Sequence, residues 1–404
     1  MMSIKTGATL AMTSLLLMGL AACNGKGYPV ALTGSGPAVS TGGGTSNATV
    51  TSGGGTTQCG DGSTFQVCLN LPAAGATYDG DVPLAVMATA PDTINGFHVY
   101  VDGKQWDPNG VTTAAPDAYT STETWVGLIT GIAPGSHLIA VNVWPGAKEG
   151  YTPKSTAVTV NVVASPLPTP PASATVYSNL QSATGSNGKW QICNGSCSGS
   201  AGTGSSTITL AATNAPTLTG ASLEETSTGP AFNTLGYLKP PCPTAGCTSV
   251  SNFLDDVWFY IPSTTTALQA LEFDPDVYDG SYEYFMSMQC DSASGAWRFW
   301  NMNAGNWTTA GGSTNVSAYP CTLLTQTNQW HHFQLYGIMN YSAHLYTYQT
   351  MVVDGVTIYQ NLGNSYPARS YSSGEAINVE QQIDNNASAT SNSVYYDNYS
   401  LTVW

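Results

Sequence analysis

Residues 267–291 have the sequence ALQALEFDPDVYDGSYEYFMSMQCD, and they decide what fold and chemistry the chain can have. Strand-like runs lie on either side of a turn rich in acids and glycine, which predicts two strands joined by that turn. Glu272 and Asp274 are two residues apart, so their side chains point to the same face of the first strand. Two carboxylates on one sheet face are either catalytic, metal-binding or buried structural groups.

The composition describes a globular chain with an unusually uncharged, acidic surface. Its 404 residues are enough for two to three domains, and 42% of them are hydrophobic. Only 8% are charged, against about 25% in an ordinary protein. The net charge is -15. Because such a surface repels phosphate backbones, nucleic acid is excluded as a partner.

The N-terminus has the pattern of an export signal. Lys5 precedes an apolar run over residues 10–20, which is too short to span a membrane. The sequence Leu-Ala-Ala-Cys that ends at Cys23 resembles the lipobox of bacterial lipoproteins. The resemblance implies that residues 1–23 are a lipoprotein signal peptide, cut before a lipidated Cys23. We therefore expect an exported protein on the outer membrane or cell surface that contacts the membrane only through its lipid.

The remaining cysteines are even in number, as expected in an oxidising compartment. Nine cysteines without Cys23 leave eight. Their spacing suggests local pairs, although eight cysteines allow 105 pairings and the sequence leaves the connectivity open. The suggested pairs are Cys59 with Cys68, Cys193 with Cys197, Cys242 with Cys247, and Cys290 with Cys321.

Composition shifts divide the mature chain into four parts. Residues 24–57 are rich in Gly, Ser and Thr and predict a flexible tether. Residues 58–163 contain short alternating runs separated by turns. Residues 164–172 form a Pro-rich linker, and residues 173–404 form a second, larger domain. Many predicted strands without crossover helices indicate packed antiparallel sheets in an all-β chain.

Both domains resemble known families. The order LPAAGATYDGDVPLAVMATA, INGFHVYVDGK, GIAPGSHLIAVNVW and KSTAVTVNV resembles bacterial immunoglobulin-like domains. In the second domain, QWHHFQLY, MVVDGVTIY and SVYYDNYSLTVW resemble the concanavalin A-like lectin/glucanase jelly roll, including laminin-G-like domains. The resemblances imply an immunoglobulin-like sandwich followed by a jelly-roll sandwich. They imply no single activity, because the jelly-roll superfamily includes lectins, hydrolases, lyases and adhesins.

The jelly-roll resemblance implies that the concave sheet face binds a glycan. Aromatic rings stack on sugars and planar polar groups bind their hydroxyls, and both kinds of residue lie at alternating positions of the predicted strands. We therefore expect a surface-displayed, non-catalytic carbohydrate-binding or adhesion lipoprotein. The candidate carbohydrate-binding residues are Trp190, Glu272, Asp274, Gln289, Asp291, Arg298 and Trp300.

A polysaccharide-degrading hydrolase or lyase is the alternative, with Glu272 and Asp274 as catalytic candidates. LEFDPD resembles the Glu-x-Asp-x-Glu motif of laminarinase-type glycoside hydrolases, in which both Glu project from one strand face. The third position here is Asp276, after Pro275, and proline favours a strand end. This mismatch favours binding over catalysis.

A metal site is the weaker alternative for the same strand. ALEFD resembles the metal-binding strand of legume lectins, but only one of the three further positions fits: Glu283 does, whereas Tyr278 and Met288 do not. Asp276 and Asp279 add oxygen ligands of the type that calcium prefers, which leaves calcium open. No other cofactor is expected. A structural cell-envelope spacer is the third alternative.

Overall fold

The computed structural model describes residues 49–52, 55–59, 65–90, 94–106, 122–145, 154–183, 188–193, 207–213, 216–229, 235–265, 268–309, 320–360, 365–372, 374–385 and 391–404. The signal peptide, Cys23 and most of the predicted tether lie outside these ranges. No helix within them is long and apolar enough to cross a membrane.

The described chain consists of strands, short 3₁₀ helices and turns. The strands are β1 (Thr49–Ser52), β2 (Gly55–Cys59), β3 (Gln66–Leu71), β4 (Thr77–Asp79), β5 (Val82–Thr89), β6 (Ile94–Val101), β7 (Lys104–Trp106), β8 (Thr122–Ile129), β9 (Gly135–Pro145), β10 (Lys154–Val163), β11 (Thr175–Tyr177), β12 (Gln191–Cys193), β13 (Thr207–Thr213), β14 (Ser222–Thr228), β15 (Leu235–Leu238), β16 (Asn252–Tyr260), β17 (Leu268–Phe273), β18 (Asp276–Tyr278), β19 (Tyr282–Phe285), β20 (Met288–Asp291), β21 (Ala296–Asn301), β22 (Asn306–Thr309), β23 (Trp330–Asn340), β24 (Leu345–Val353), β25 (Val356–Gln360), β26 (Tyr366–Pro367), β27 (Arg369–Ser370), β28 (Ala376–Asn385) and β29 (Ser391–Val403). The 3₁₀ helices are Leu180–Ser182, Cys247–Ser249 and Leu323–Thr325.

Strands β1 to β10 form two five-stranded sheets. Their orders are β1-β2-β3-β5-β8 and β4-β10-β9-β6-β7. Apolar and polar residues alternate along the strands, so the apolar side chains form the core between the two sheets. In β10, for example, Val158, Val160 and Val162 are buried, while the residues between them are exposed. β1 and most of β2 lie within the predicted tether, where their Thr-rich segments pair as edge strands beside β3.

Strands β11 to β29 form a nine-stranded and a ten-stranded sheet. The nine-stranded order is β13-β14-β29-β16-β23-β24-β25, with β11 beside β29 and β26 beside β24. The ten-stranded order is β22-β21-β20-β17-β28-β18-β19-β27. In addition, β15 pairs with β28, and β12 pairs with β15. The sheets pack through aromatic contacts such as Phe273 on Phe333, whose ring centroids are 4.0 Å apart. The prediction of an all-β chain built from sandwich sheets is confirmed.

The opening stretch, residues 267–291, forms four strands rather than two. β17 pairs with β20, and the shorter β18 and β19 pair with each other between them. The partner positions keep one register from Ala270 opposite Asp291 to Tyr278 opposite Glu283, so the four strands form the predicted hairpin, and each of its two arms is interrupted once. Pro275 has no amide donor and interrupts the first arm, but its carbonyl accepts the Met286 amide at 3.1 Å, so the two arms stay paired across the interruption.

Two predicted disulfides are confirmed. Cys242 is bonded to Cys247 and Cys290 to Cys321. Cys68 and Cys193 are also disulfide-bonded. Cys68 lies opposite Cys59 in the register of β3 and β2. The pairings with Cys59 and Cys197 remain predictions.

Candidate functional site

The side chains of β28 alternate between the two faces of the ten-stranded sheet. Ile377, Val379 and Ile383 enter the core between the sheets. The alternate residues therefore point to the opposite face. They are all polar: Asn378, Glu380, Gln382 and Asp384.

Three acids of β17 and β18 lie beside these residues. Glu272 is opposite Gln382, and Asp276 is opposite Asn378. Between them, the Asp274 amide donates to the Glu380 carbonyl at 3.0 Å. The pairing with β28 thus keeps one register through Pro275. Asp276 therefore stays on the same face as Glu272 and Asp274 although Pro275 precedes it, because the neighbouring strand holds the chain in line on both sides of the proline.

The neighbouring strands extend the same face. Gln289 lies opposite Glu272, and Arg298 lies opposite Gln289. Trp300 of β21 lies opposite Trp307 of the next strand, β22. We call this surface the acidic face and define it by Glu272, Asp274, Asp276, Glu283, Gln289, Asp291, Arg298, Trp300, Trp307, Asn378, Glu380, Gln382 and Asp384. It includes six of the seven residues predicted to bind carbohydrate.

The seventh predicted residue, Trp190, lies in the core. Its indole N–H donates to the Leu180 carbonyl at 2.8 Å, and its ring packs on Tyr399. Trp190 is 9% exposed and belongs to the apolar cluster between the two sheets. It precedes β12 and turns inward, so it does not line the acidic face.

The centre of the acidic face is buried and densely hydrogen-bonded. Glu272 and Asp274 are 4% and 2% exposed. The Gln289 amide donates to Glu272, and the Ser287 hydroxyl donates to Asp274. The nearby Asp384 carboxyl group adds to the effect of burial and raises the pKa of Glu272.

Burial raises the pKa of four carboxyl groups here. The pKa of Asp274 is raised to about 7, mainly by burial and also by the nearby Asp384, although the Ser287 hydrogen bond lowers it. Burial raises the pKa of Glu380 to about 8, with Asp274 and Glu283 adding to the effect. The pKa of Glu272 and that of Asp276 are also well above the ordinary range, first because of burial and then because of neighbouring acids.

Two arginines neutralise two other acids of this face. Arg298 donates to Asp291 at 2.9 Å, and Arg369 forms an ion pair with Glu283. Asp291 also accepts the Ala293 amide at 2.9 Å and so closes the turn after β20. These two acids therefore have cationic partners.

Aromatic side chains border both ends of the acidic face. At one end Trp300 and Trp307 meet edge to face, with centroids 5.5 Å apart, and both are half-buried. At the other end the Lys239 ammonium lies 5.6 Å from the Tyr237 ring and 6.0 Å from the Tyr278 ring. Tyr278 also donates to Glu283 at 2.9 Å.

The metal alternative finds little support in the described part of the chain. No group of three or more His, Cys, Asp or Glu residues there has a metal-binding arrangement. Asp279 caps its own turn, accepting the Ser281 and Tyr282 amides and the Tyr284 hydroxyl. A lectin-type pair of metal sites is not formed by these residues.

Several residues of the acidic face were missed at the level of sequence. The signal for Asn378, Glu380, Gln382 and Asp384 was present, because polar residues occupy every second position of INVEQQID, residues 377–384. Trp307 lies in β22, a four-residue strand whose sequence NWTT gives no such signal. Its place beside Trp300 depends on the register of β21 and β22.

Comparison with known proteins identifies no family for this chain. The chain matches no protein-family model. It matches no curated protein. Among solved structures, it is similar to carbohydrate-binding modules of a beta-sandwich superfamily at 14% identity, covering 83% of this chain and 95% of the other, with a TM-score of 0.27. It is similar to alginate lyase Aly36B at 12% identity, covering 48% and 86%, with a TM-score of 0.32. Arcelin-5, a lectin-like defense protein from Phaseolus vulgaris, is 10% identical, with coverages of 54% and 99% and a TM-score of 0.27. At these TM-scores the similarities identify no ligand or site.

Proposed function

We propose that the acidic face binds a carbohydrate without cleaving it. The observation that carries the proposal is the shared register of β20, β21 and β22, which places Gln289, Arg298, Trp300 and Trp307 side by side. Sugar rings stack on indole faces, while amide, carboxylate and guanidinium groups bind ring hydroxyls with directional hydrogen bonds. The half-buried tryptophans are the accessible platform, and the buried acids behind them hold the polar side chains in place.

The rest of the chain supports display of this face outside the cell. Disulfides persist in oxidising compartments, and Cys242–Cys247 and Cys290–Cys321 both lie in the second pair of sheets. The lipobox around Cys23 fits a lipid anchor, and the Gly- and Ser-rich segment after it fits a tether. We therefore propose an exported, lipid-anchored glycan-binding or adhesion protein.

A glycan array of the full chain without its signal peptide tests the binding proposal. Wild type should bind at least one oligosaccharide, and Trp300→Ala should weaken that binding by about tenfold or more, as expected for an aromatic anchor. Trp404→Ala is the matched control, since Trp404 stacks on Tyr336 in the nine-stranded sheet. Absence of binding, with and without calcium, or equal losses in both variants would reject the proposal; the first result would favour a structural spacer.

Hydrolysis or lyase chemistry is a second candidate because Glu272, Asp274 and Asp276 lie in a row on one sheet face, and burial raises the pKa of all three carboxyl groups. A carboxyl held in its acid form near neutral pH can act as a general acid. The test is release of reducing ends or unsaturated products from a polysaccharide panel by wild type and by Glu272→Gln. Turnover by wild type that the variant loses would establish catalysis, whereas equal product release would exclude a role for Glu272.

A further inference from the structure

The acidic face has more carboxyl groups than cationic groups. Seven carboxyl groups belong to it: Glu272, Asp274, Asp276, Glu283, Asp291, Glu380 and Asp384. Its cations are Arg298 and Arg369, each already paired with an acid, and Lys239 at the border. No ion pair between described residues involves Glu272, Asp274 or Glu380.

The same face also lacks hydrogen-bond donors. Among its described residues, four buried side-chain atoms have no hydrogen-bond partner, and all four are acceptors: Asp276 Oδ1 and Oδ2, Gln289 Oε1 and Asn378 Oδ1. Gln289 Nε2 donates to Glu272 and Asn378 Nδ2 donates to Glu380, which leaves the two amide oxygens without a donor. Protonation of Asp276 would supply one donor and still leave three acceptors.

An ammonium group already occupies the border of this face. Lys239 is exposed, yet its ammonium lies over the rings of Tyr237 and Tyr278. Tyr237 is opposite Glu380 in the register of β15 and β28. Two aromatic faces beside a carboxyl group are the environment that binds an ammonium by cation–π and charge-assisted contacts. The lysine side chain shows that this corner accepts such a group.

We propose that the acidic face selects a glycan with free amino groups, such as an oligomer of deacetylated hexosamine, whose ammonium replaces that of Lys239 beside Tyr237, Tyr278 and Glu380. An ammonium supplies three donors and no acceptor, which suits the acceptors without partners on this face, and its positive charge favours the ionised form of Glu380. A polyuronate would add carboxylates to a face that already has seven. This inference rests on the proposed carbohydrate binding and names the class of sugar.

Isothermal titration of the full chain at neutral pH tests the inference with four oligomers of equal length. They are β-1,4-linked glucosamine, its N-acetylated counterpart, a neutral β-glucan and a polyuronate. The glucosamine oligomer should bind about tenfold or more tightly than the other three. Equal or tighter binding of the acetylated, neutral or uronate oligomer overturns the inference and leaves the proposed function intact. If none of the four binds, the inference fails here, and the proposed function then depends on the wider glycan array.

Two variants test whether the ammonium binds at the corner formed by Tyr237, Tyr278 and Glu380, and not through the general attraction of an acidic protein for cations. Glu380→Gln should weaken glucosamine binding by about tenfold, and Lys239→Gln, which removes the competing ammonium from an exposed position, should tighten it several-fold. Glu224→Gln is the matched control, a half-buried glutamate of β14 in the other sheet. An equal loss in Glu380→Gln and Glu224→Gln, or weaker binding by Lys239→Gln, would overturn the assignment of the ammonium to this corner.

Discussion

Thr357 and Asp79 are hydrogen-bonded between the first and the second pair of sheets. The Thr357 amide donates to Asp79 Oδ2 at 2.7 Å, and the Asp79 amide donates to the Gly355 carbonyl at 2.8 Å. The hairpin between β24 and β25 thus contacts β4. Leu128 of β8 also packs against Trp258 and Trp330 of the nine-stranded sheet. These contacts involve the nine-stranded sheet, whereas the acidic face belongs to the ten-stranded sheet.

Substitution of Gly355 should destabilise this contact. Gly355 has φ +74, and an added Cβ would lie 2.6 Å from Tyr78 Cδ1 and 2.7 Å from Pro83 Cδ. Because Tyr78 is fully buried, it cannot move aside. Gly355→Ala should lower the free energy of unfolding by about 2–4 kcal/mol, from overpacking together with the positive φ.

Gly103→Ala is the control for backbone strain alone. Gly103 has φ +77 in another Asp-Gly turn, and nothing lies within 4 Å of its added Cβ. This variant should lose only about 1–2 kcal/mol. Urea unfolding of both variants decides between the two contributions. Equal losses would show that the hairpin does not pack on Tyr78 in solution.

Stability should fall as the pH rises from about 4 to about 8. Asp274 and Glu380 have folded-state pKa values of about 7 and about 8, above the ordinary values of about 4 in the unfolded chain. The folded state therefore binds more protons between those values. The stabilisation is complete below the unfolded pKa and is lost as the pH passes through the folded pKa. Each group contributes a slope of up to about 1.4 kcal/mol for each pH unit.

Urea unfolding across this pH range measures the slope. Asp274→Asn should flatten it, because the amide cannot titrate. Glu224→Gln in the opposite sheet serves as the matched substitution and should leave the slope in place. A free energy of unfolding that increases steadily from pH 4 to pH 8 would contradict the raised pKa of these carboxyl groups.

The two confirmed disulfides should differ in their contribution to stability. Cys290–Cys321 closes a sequence separation of 31 residues, and Cys242–Cys247 closes one of 5. Because a longer loop restricts the unfolded chain more, replacing both cysteines of the first pair by Ala should cost about 4 kcal/mol, against about 2 kcal/mol for the second pair. Denaturant midpoints of the two double variants test this order. The reverse order would mean that native-state strain outweighs the entropy of the loop.

Local alternation was sufficient to predict many of the strands. The apolar run over residues 82–88 and the run WHHFQLYGI over residues 330–338 predict strands close to β5 (Val82–Thr89) and β23 (Trp330–Asn340). β14 (Ser222–Thr228) was missed because SLEETST has little apolar alternation, although Glu225 is fully buried. Strands that bury polar groups lack the signal on which such predictions depend.

The acidic face was only partly predictable for a different reason. The period of two places Glu272 and Asp274 together from local sequence alone. Their neighbour Asp384 comes from β28, more than 100 residues further along the chain, and no local pattern encodes that pairing. The orientation of Trp190 was also unpredictable, because it lies just before a strand, where the alternation gives no direction.

Hydrogen–deuterium exchange with a bound oligosaccharide tests the central claim most directly. The protein would be measured alone and with each β-glucan, N-acetylglucosamine, glucosamine and uronate oligomer at saturating concentration. We expect slower exchange in β20, β21 and β22, residues 288–309, in the presence of the bound oligomer, and little change in β16 and β23 of the nine-stranded sheet. Protection confined to the nine-stranded sheet or to the first pair of sheets would contradict carbohydrate binding at the acidic face.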